Sequence, residues 1–152
     1  MTTRSIDHGT FTLTRQFAAP PARVWHAFAD PAAKRKWFVD ALGWTTRDYR
    51  LDCREGGTEF WDGAAPDGTA ITMAARFAEV RTGERILSTY EMTLNGQRLS
   101  LSLMSLEFRA EGAGTGLTLT EHVAHLDGLG TLDQRRAGTE GLMDRLAAAL
   151  AD

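Results

Sequence analysis

Two ionisable side chains stand next to each other near the end of a stretch rich in β-forming residues. Glu121 and His122 follow Leu117 and Leu119 in the segment GLTLTEH. Because side chains alternate along a strand, Glu121 shares a face with the two leucines, and His122 lies on the other face. If the leucines face inward, the Glu121 carboxyl group faces a buried space and could act as a general acid or base. Alternatively, Glu121 reaches solvent or pairs with an arginine such as Arg76, which could itself point outward.

Tyr90 is the third residue that could take part in acid–base chemistry. It is in phase with Ile86, Ser88 and Met92 along the segment RILSTYEM. If this face points inward, Tyr90 offers a hydroxyl group to a bound molecule and Met92 offers an adaptable wall. Alternatively, both side chains are plain core packing.

Aromatic side chains could supply the apolar surface of a small-molecule site. Trp37 and Phe38 end a predicted helix, whereas Phe60 and Trp61 are consecutive on a predicted strand, so only one of that pair can face inward. Each aromatic could instead belong to the core or to a subunit contact. The residues that we expect to contact a ligand are Trp37, Phe38, Phe60, Phe77, Tyr90, Met92, Glu121, Leu142, Met143 and Leu146.

The sequence shows no pattern typical of a metal site or of a catalytic nucleophile. His122 and His125 are three residues apart on a predicted strand, so they lie on opposite faces and cannot share an ion. Cys53 has no adjacent histidine or lysine to activate its thiol. The chain has no phosphate loop, dinucleotide fingerprint or serine nucleophile elbow. We therefore expect neither a metal ion nor a cofactor.

The elements that position these residues follow from periodicity and turn signals. Gly9–Phe17 predicts a strand, Pro21–Ala29 predicts a helix, and Asp30 can cap a second helix over Pro31–Phe38. Strands then alternate with tight turns, of which Asn95-Gly96 is the strongest hairpin signal. Short turns join only antiparallel neighbours. The predicted later strands are residues 45–52, 58–62, 69–80, 85–94, 98–109 and 117–125.

The last segment changes to a helical period. Asp144 and Arg145 lie off its apolar face, and Gly138 and Gly141 weaken its first half by about 1 kcal/mol each relative to alanine. The order of strand, two helices, six strands and helix predicts one α+β domain over residues 1–152. In it, an antiparallel sheet of about seven strands curves around the C-terminal helix and leaves an apolar cavity. The apolar face of that helix consists of Leu142, Met143, Leu146 and Leu150.

Composition narrows the class of protein. The 152 residues have a net charge of -3, which gives no basic excess for a nucleic acid partner. One cysteine precludes an internal disulfide and suits a reducing compartment. The polar start, residues 1–12, has no secretory signal pattern, and no apolar run reaches the roughly 18 residues that a membrane span needs. We expect a cytoplasmic protein.

Four stretches of the chain carry a family resemblance. In chain order they are APPARVWHAF with DP and KWF behind it, GGTEF leading to PDG, ERILSTY, and GTGLTLTEH followed by GLMDRL. In these stretches the sequence resembles the START-like, or SRPBCC, superfamily. Within that superfamily it is most similar to bacterial homologues of the activator of heat-shock protein 90 ATPase.

The resemblance implies a helix-grip domain with a deep cavity between the sheet and the last helix. Members bind or transport hydrophobic small molecules, act as cyclases or aromatases, or regulate the chaperone. Relatives often carry a histidine and a Gly-Trp pair entering the last helix, where this chain has Arg135 and Gly138-Thr139. The absence of that tryptophan implies a cavity mouth that is less filled or differently lined.

Three functions remain open at this point. The first is binding of a small hydrophobic ligand in the cavity. The second is a cyclase, dehydratase or hydrolase type of enzyme, as in polyketide cyclases, with Glu121, His122 or Tyr90 as acid–base groups. The third is regulation of heat-shock protein 90 through an outer surface. A homodimer is plausible in each case, because one face or edge of the sheet could carry excess apolar residues.

Overall fold

Seven strands form one antiparallel sheet in the computed structural model of the protein, which describes residues 4–152. The strand order across the sheet is β1-β7-β6-β5-β4-β3-β2. The α+β helix-grip arrangement expected from the sequence is therefore confirmed. The elements are β1 (Ile6–Phe17), α1 (Pro21–Ala29), α2 (Pro31–Phe38), a 3-10 turn (Asp40–Leu42), β2 (Thr45–Leu51), β3 (Thr58–Ala64), β4 (Ala70–Arg81), β5 (Arg85–Leu94), β6 (Gln97–Glu111), β7 (Gly114–Leu126) and α3 (Leu132–Leu150).

Turn and cap signals placed most of these boundaries correctly. Both short helices begin and end where predicted, and the Asp30 side chain accepts a hydrogen bond from the Ala33 backbone N–H at 2.9 Å. Asn95 and Gly96 take φ values of 49° and 81°, as the predicted hairpin turn between β5 and β6 requires. Several strands are one to three residues longer at their ends than predicted, because ladder pairing continues into the turns. The 3-10 turn was not predicted.

Helix α3 lies against one face of the sheet, but not evenly along it. Its backbone comes closest to β1, α1 and α2, and it lies farther from the backbones of β4, β5 and β6 in the middle of the sheet. Its start is defined by a capping box, in which the Thr131 hydroxyl accepts from the Gln134 N–H and the Gln134 side chain accepts from the Thr131 N–H. A space therefore remains between the helix and the middle of the sheet.

The main core lies beside that space, where the helices pack against β1, β7 and β6. Its buried residues come mainly from β1, β6, β7 and the three helices, with Phe77 of β4 and Ile86 of β5 at its border with the cavity. A smaller cluster around Trp61 and Met73 covers the far end of the sheet. Within residues 4–152, no helix is long and apolar enough to cross a membrane. Met1–Thr3, part of the predicted polar start, lie outside the described residues.

Replacing Gly138 with alanine should stabilise the fold. Gly138 lies inside α3, and a Cβ atom at this position would meet no heavy atom within 4 Å. Alanine loses less backbone entropy in a helix, so we expect the free energy of unfolding to rise by about 0.5–1 kcal/mol in urea denaturation. Gly141→Ala is the comparison, because its Cβ would lie 3.4 Å from Arg145 Nη1 and the gain should be smaller. A loss of stability in Gly138→Ala would contradict this account.

Candidate functional site

Between the sheet and α3 lies a cavity of about 450 Å³. Its sheet side consists of inward-facing residues of β3 to β6, and its helix side runs along α3 from Gln134 to Arg145. Strand alternation produces this wall, since every second residue of β4 and of β5 points the same way. The positions concerned are Ile71, Met73, Ala75 and Phe77 on β4, and Ile86, Ser88, Tyr90 and Met92 on β5.

Five of the ten residues expected to contact a ligand lie on the cavity wall. They are Phe38, Phe77, Tyr90, Met92 and Leu142. The contact itself remains a prediction, since the wall position shows only that these side chains are available to a molecule in the cavity.

The other five predicted residues lie elsewhere. Trp37 is buried in the main core, where its indole N–H donates to the Ala27 carbonyl at 2.9 Å. Met143 and Leu146 also belong to the main core, because they lie on the side of α3 that faces β1 and α1 rather than the cavity. Glu121 is fully buried behind the wall.

Phe60 illustrates the consequence of strand alternation on β3. Its neighbour Trp61 faces the cavity, so Phe60 faces the opposite side of the sheet. There its ring lies 5.0 Å from the Arg50 guanidinium carbon. The inward member of the aromatic pair is Trp61.

Behind one part of the wall, Glu121 forms a buried ion pair with Arg135 of α3. The Arg135 Nη1 donates to Glu121 Oε2 at 2.8 Å, and the exposed fractions of the two side chains are 10% and 0%. The same carboxylate oxygen accepts from the Tyr90 hydroxyl at 2.7 Å and from the Ser102 hydroxyl at 2.8 Å. The Arg135 Nη2 donates to Ser100 Oγ at 2.7 Å. We call these five residues the Arg135 network.

Arg76 is not the partner of Glu121. It lies on β4 between two inward-facing residues and is exposed on the outer face, as strand alternation requires. The alternative in which Glu121 pairs with an arginine is correct, but that arginine comes from the last helix. Burial, and then the charge of Glu121, raise the pKa of Tyr90, so its hydroxyl stays protonated and serves as a donor.

The histidines of β7 are separated by the sheet. His122 is exposed on the outer face, where its Nδ1 is 2.9 Å from Thr10 Oγ1, so it cannot touch a molecule in the cavity. His125 is buried, and its pKa is lowered first by burial and then by the Arg135 charge. Among residues 4–152, no group of three histidine, cysteine, aspartate or glutamate side chains has metal-binding geometry.

A second buried ion pair lies on the wall itself, between the middle of α2 and the start of β3. Lys34 Nζ donates to Glu59 Oε1 at 2.8 Å, and the Tyr49 hydroxyl donates to Glu59 Oε2 at 2.7 Å. The Lys34 ammonium also lies 4.7 Å from the centre of the Phe38 ring. Burial, followed by the Glu59 charge, raises the pKa of Tyr49. Burial raises the pKa of the nearby Cys53 thiol, which disfavours the thiolate.

A protein-family model matches residues 18–151 of the chain. Its description is "Activator of Hsp90 ATPase homolog 1-like protein". The chain belongs to this family. The match covers nearly all of the described structure, including both buried ion pairs and the whole of α3.

The structure of this family member is also similar to solved structures of bacterial proteins. An uncharacterized protein from Rhizobium leguminosarum is 40% identical, with a TM-score of 0.94 over 99% of each chain. The Mll3558 protein from Rhizobium loti is 38% identical, with a TM-score of 0.88 over 95% of this chain and 99% of that chain. CalU16 from Micromonospora echinospora, at 22% identity and a TM-score of 0.66 over 99% of this chain and 86% of that chain, shows the fold alone. A search of curated proteins gave no match.

Sequence reasoning did not predict any of the four charged residues of the cavity wall. Arg135 lies seven residues before Leu142, which is two helical turns, so extending the apolar face backwards along α3 would have placed it toward the sheet. Arg145 was expected off the apolar face, but it lies on the cavity wall three residues after Leu142. Lys34 and Glu59 gave no signal, because their pairing depends on how α2 crosses β3.

Proposed function

We propose that this protein binds a small, largely apolar molecule in the cavity between the sheet and α3. The observation that carries the proposal is the cavity itself, about 450 Å³ of space with predominantly apolar walls. Protein interiors are otherwise packed as densely as organic crystals, and a void of this size is within the range of small-molecule sites. A molecule bound there would make the packing contacts that the empty cavity lacks.

The composition of the wall supports a binding role. Met73, Met92 and Met104 supply flexible, polarizable surface that can adapt to more than one shape. Aromatic rings at the Trp44 and Trp61 end, whose centroids are 5.9 Å apart, supply flat surface. Few polar groups interrupt this surface, as is typical of sites that hold a molecule by shape and orient it at a few points.

The polar groups near the cavity favour binding over acid–base catalysis. Glu121 already accepts three hydrogen bonds on one oxygen and does not reach the wall, and the Tyr90 hydroxyl is committed to it. His122 faces away. A catalyst needs at least two polar groups that converge on the reacting atoms, and the three proposed acid–base residues do not meet at a common point in the cavity.

Regulation of the Hsp90 chaperone is a second candidate, which is favoured by the description of the matched family. It would use the outer surface and not the cavity. Stimulation of Hsp90 ATP turnover on adding the purified protein would support it. Unchanged turnover at saturating protein would count against it.

Titration with the neutral fluorophore N-phenyl-1-naphthylamine tests the binding proposal. Entry into an apolar cavity should raise and blue-shift its emission, with saturation at one molecule per chain. Native mass spectrometry of the same sample should show the corresponding added mass. Emission that rises without saturation and a protein that carries no added mass, both with this probe and with an anionic analogue of the same ring framework, would contradict the proposal.

A further inference from the structure

We infer that the ligand is an organic anion with an apolar body, and that Arg145 binds its acidic group. This inference rests on the proposed binding function and names the chemistry of that same cavity. The apolar body would lie against the methionines and aromatic rings of the sheet. A carboxylate, sulfonate or similar group would lie against α3.

The charges on the cavity wall do not balance. Four charged side chains line it, of which three are cations and one is an anion: Lys34, Arg135, Arg145 and Glu59. Lys34 pairs with Glu59 at 2.8 Å, and Arg135 pairs with Glu121 behind the wall at 2.8 Å. Within residues 4–152, Arg145 has neither a salt bridge nor a side-chain hydrogen bond. One positive charge therefore remains available to a ligand.

The Arg145 side chain carries a buried donor that lacks an acceptor. Its Nε atom is shielded from solvent and has no hydrogen-bond partner in the described residues. Buried hydrogen-bond donors nearly always have an acceptor, and burying a donor without one is energetically unfavourable. An arginine presents its N–H groups as a planar fork that fits the two oxygens of a carboxylate or sulfonate. An acidic group bound there would supply both the missing charge and the missing acceptor.

The position of the guanidinium favours contact with a molecule in the cavity. A Cβ atom on Gly141 would lie 3.4 Å from Arg145 Nη1, so the side chain folds back along α3 beside a residue that has no side chain. Gly141 and Leu142 both line the cavity next to it. In these apolar surroundings an ion pair is stronger than in water.

The acidic residue adjacent in sequence does not neutralise Arg145. Asp144 is exposed and accepts from Nη1 of Arg15 on β1 at 2.8 Å. Arg135 cannot replace Arg145 as the anion site, because its two terminal nitrogens are already committed to the Arg135 network. Arg145 is therefore the cation on the wall that the described structure leaves for the ligand.

Two probes with the same ring framework test the inference. The anionic probe is 8-anilinonaphthalene-1-sulfonate, and the neutral probe is N-phenyl-1-naphthylamine, which lacks only the sulfonate. We expect the wild-type protein to bind the anionic probe more tightly. In Arg145→Met, affinity for the anionic probe should fall about tenfold or more, as expected for loss of a charge-assisted hydrogen bond, with the neutral probe unchanged. Arg145→Lys keeps the charge and should retain part of the preference.

Arg136→Met is the matched control, because Arg136 lies on the same helix but is exposed and pairs with Glu140 at 3.0 Å. It should leave the affinities for both probes unchanged. If the neutral probe binds but Arg145→Met weakens both probes equally, or neither, the inference is overturned and the binding function stands. If the wild-type protein binds neither probe, the binding function itself fails. Circular dichroism and thermal unfolding establish that each variant is folded.

Discussion

Replacing Glu121 with leucine is expected to lower the free energy of unfolding by about 3–5 kcal/mol. The substitution leaves the Arg135 guanidinium, whose side chain is 10% exposed, without a counter-charge in the protein interior. It also removes the acceptor that satisfies the Tyr90 and Ser102 hydroxyls. Urea denaturation followed by circular dichroism measures the change.

Two control variants test whether the loss of stability comes from the buried ion pair of Glu121 and Arg135. Glu140→Leu breaks an exposed pair with Arg136 on the same helix and should cost less than about 1 kcal/mol. The double variant Glu121→Leu/Arg135→Leu removes both charges, so it should be more stable than Glu121→Leu alone. If Glu121→Leu is no more harmful than Glu140→Leu, the Arg135 network does not contribute to the fold as described.

Replacing Ser88 with phenylalanine should lower affinity for N-phenyl-1-naphthylamine at least tenfold, or about 1.4 kcal/mol. Ser88 pairs across the sheet with Phe77 and Met104, and all three line the cavity. A phenyl ring there enters the space that the ligand would occupy. Because it enters a void and not a packed core, the free energy of unfolding should change by less than about 1.5 kcal/mol. Fluorescence titration and urea denaturation of the same sample measure the two effects.

The controls for this variant come from the same strand. Ser88→Ala keeps the cavity and should bind the probe like the wild-type protein. Thr89→Phe places an equal ring on the exposed outer face of β5, one residue away, and should also leave binding unchanged. Equal affinities in Ser88→Phe and Thr89→Phe would mean that the probe binds outside the cavity.

Local signals were sufficient for the framework of the fold. Proline at the first turn and Asp30 as a cap fixed α1 and α2, and the Asn95-Gly96 turn fixed the hairpin of β5 and β6. Alternation then assigned faces, so that Tyr90 and Met92 were expected on the inner face, where they lie on the wall. These features depend on neighbours within a few residues, which is the range over which a single sequence is informative.

The site depended on contacts that a single sequence does not encode locally. Arg135 meets Tyr90 across a separation of 45 residues, and Lys34 meets Glu59 across 25. Such pairs depend on the angle at which a helix crosses the sheet, and long side chains can reach in several directions. Alternation could show that only one of Phe60 and Trp61 faces inward, but not which one. That choice follows from the register of β3 beside β4, where Trp61 pairs with the inward-facing Met73.

The most direct test of the central claim uses the methionines as reporters. Met73, Met92 and Met104 line the cavity, whereas Met143 is buried in the main core. A carbon–proton NMR titration of methionine methyl groups with N-phenyl-1-naphthylamine should shift the three wall signals with one common dissociation constant, and shift Met143 much less. If the probe saturates the protein while the three wall signals stay unmoved, the cavity is not the binding site and the account is wrong.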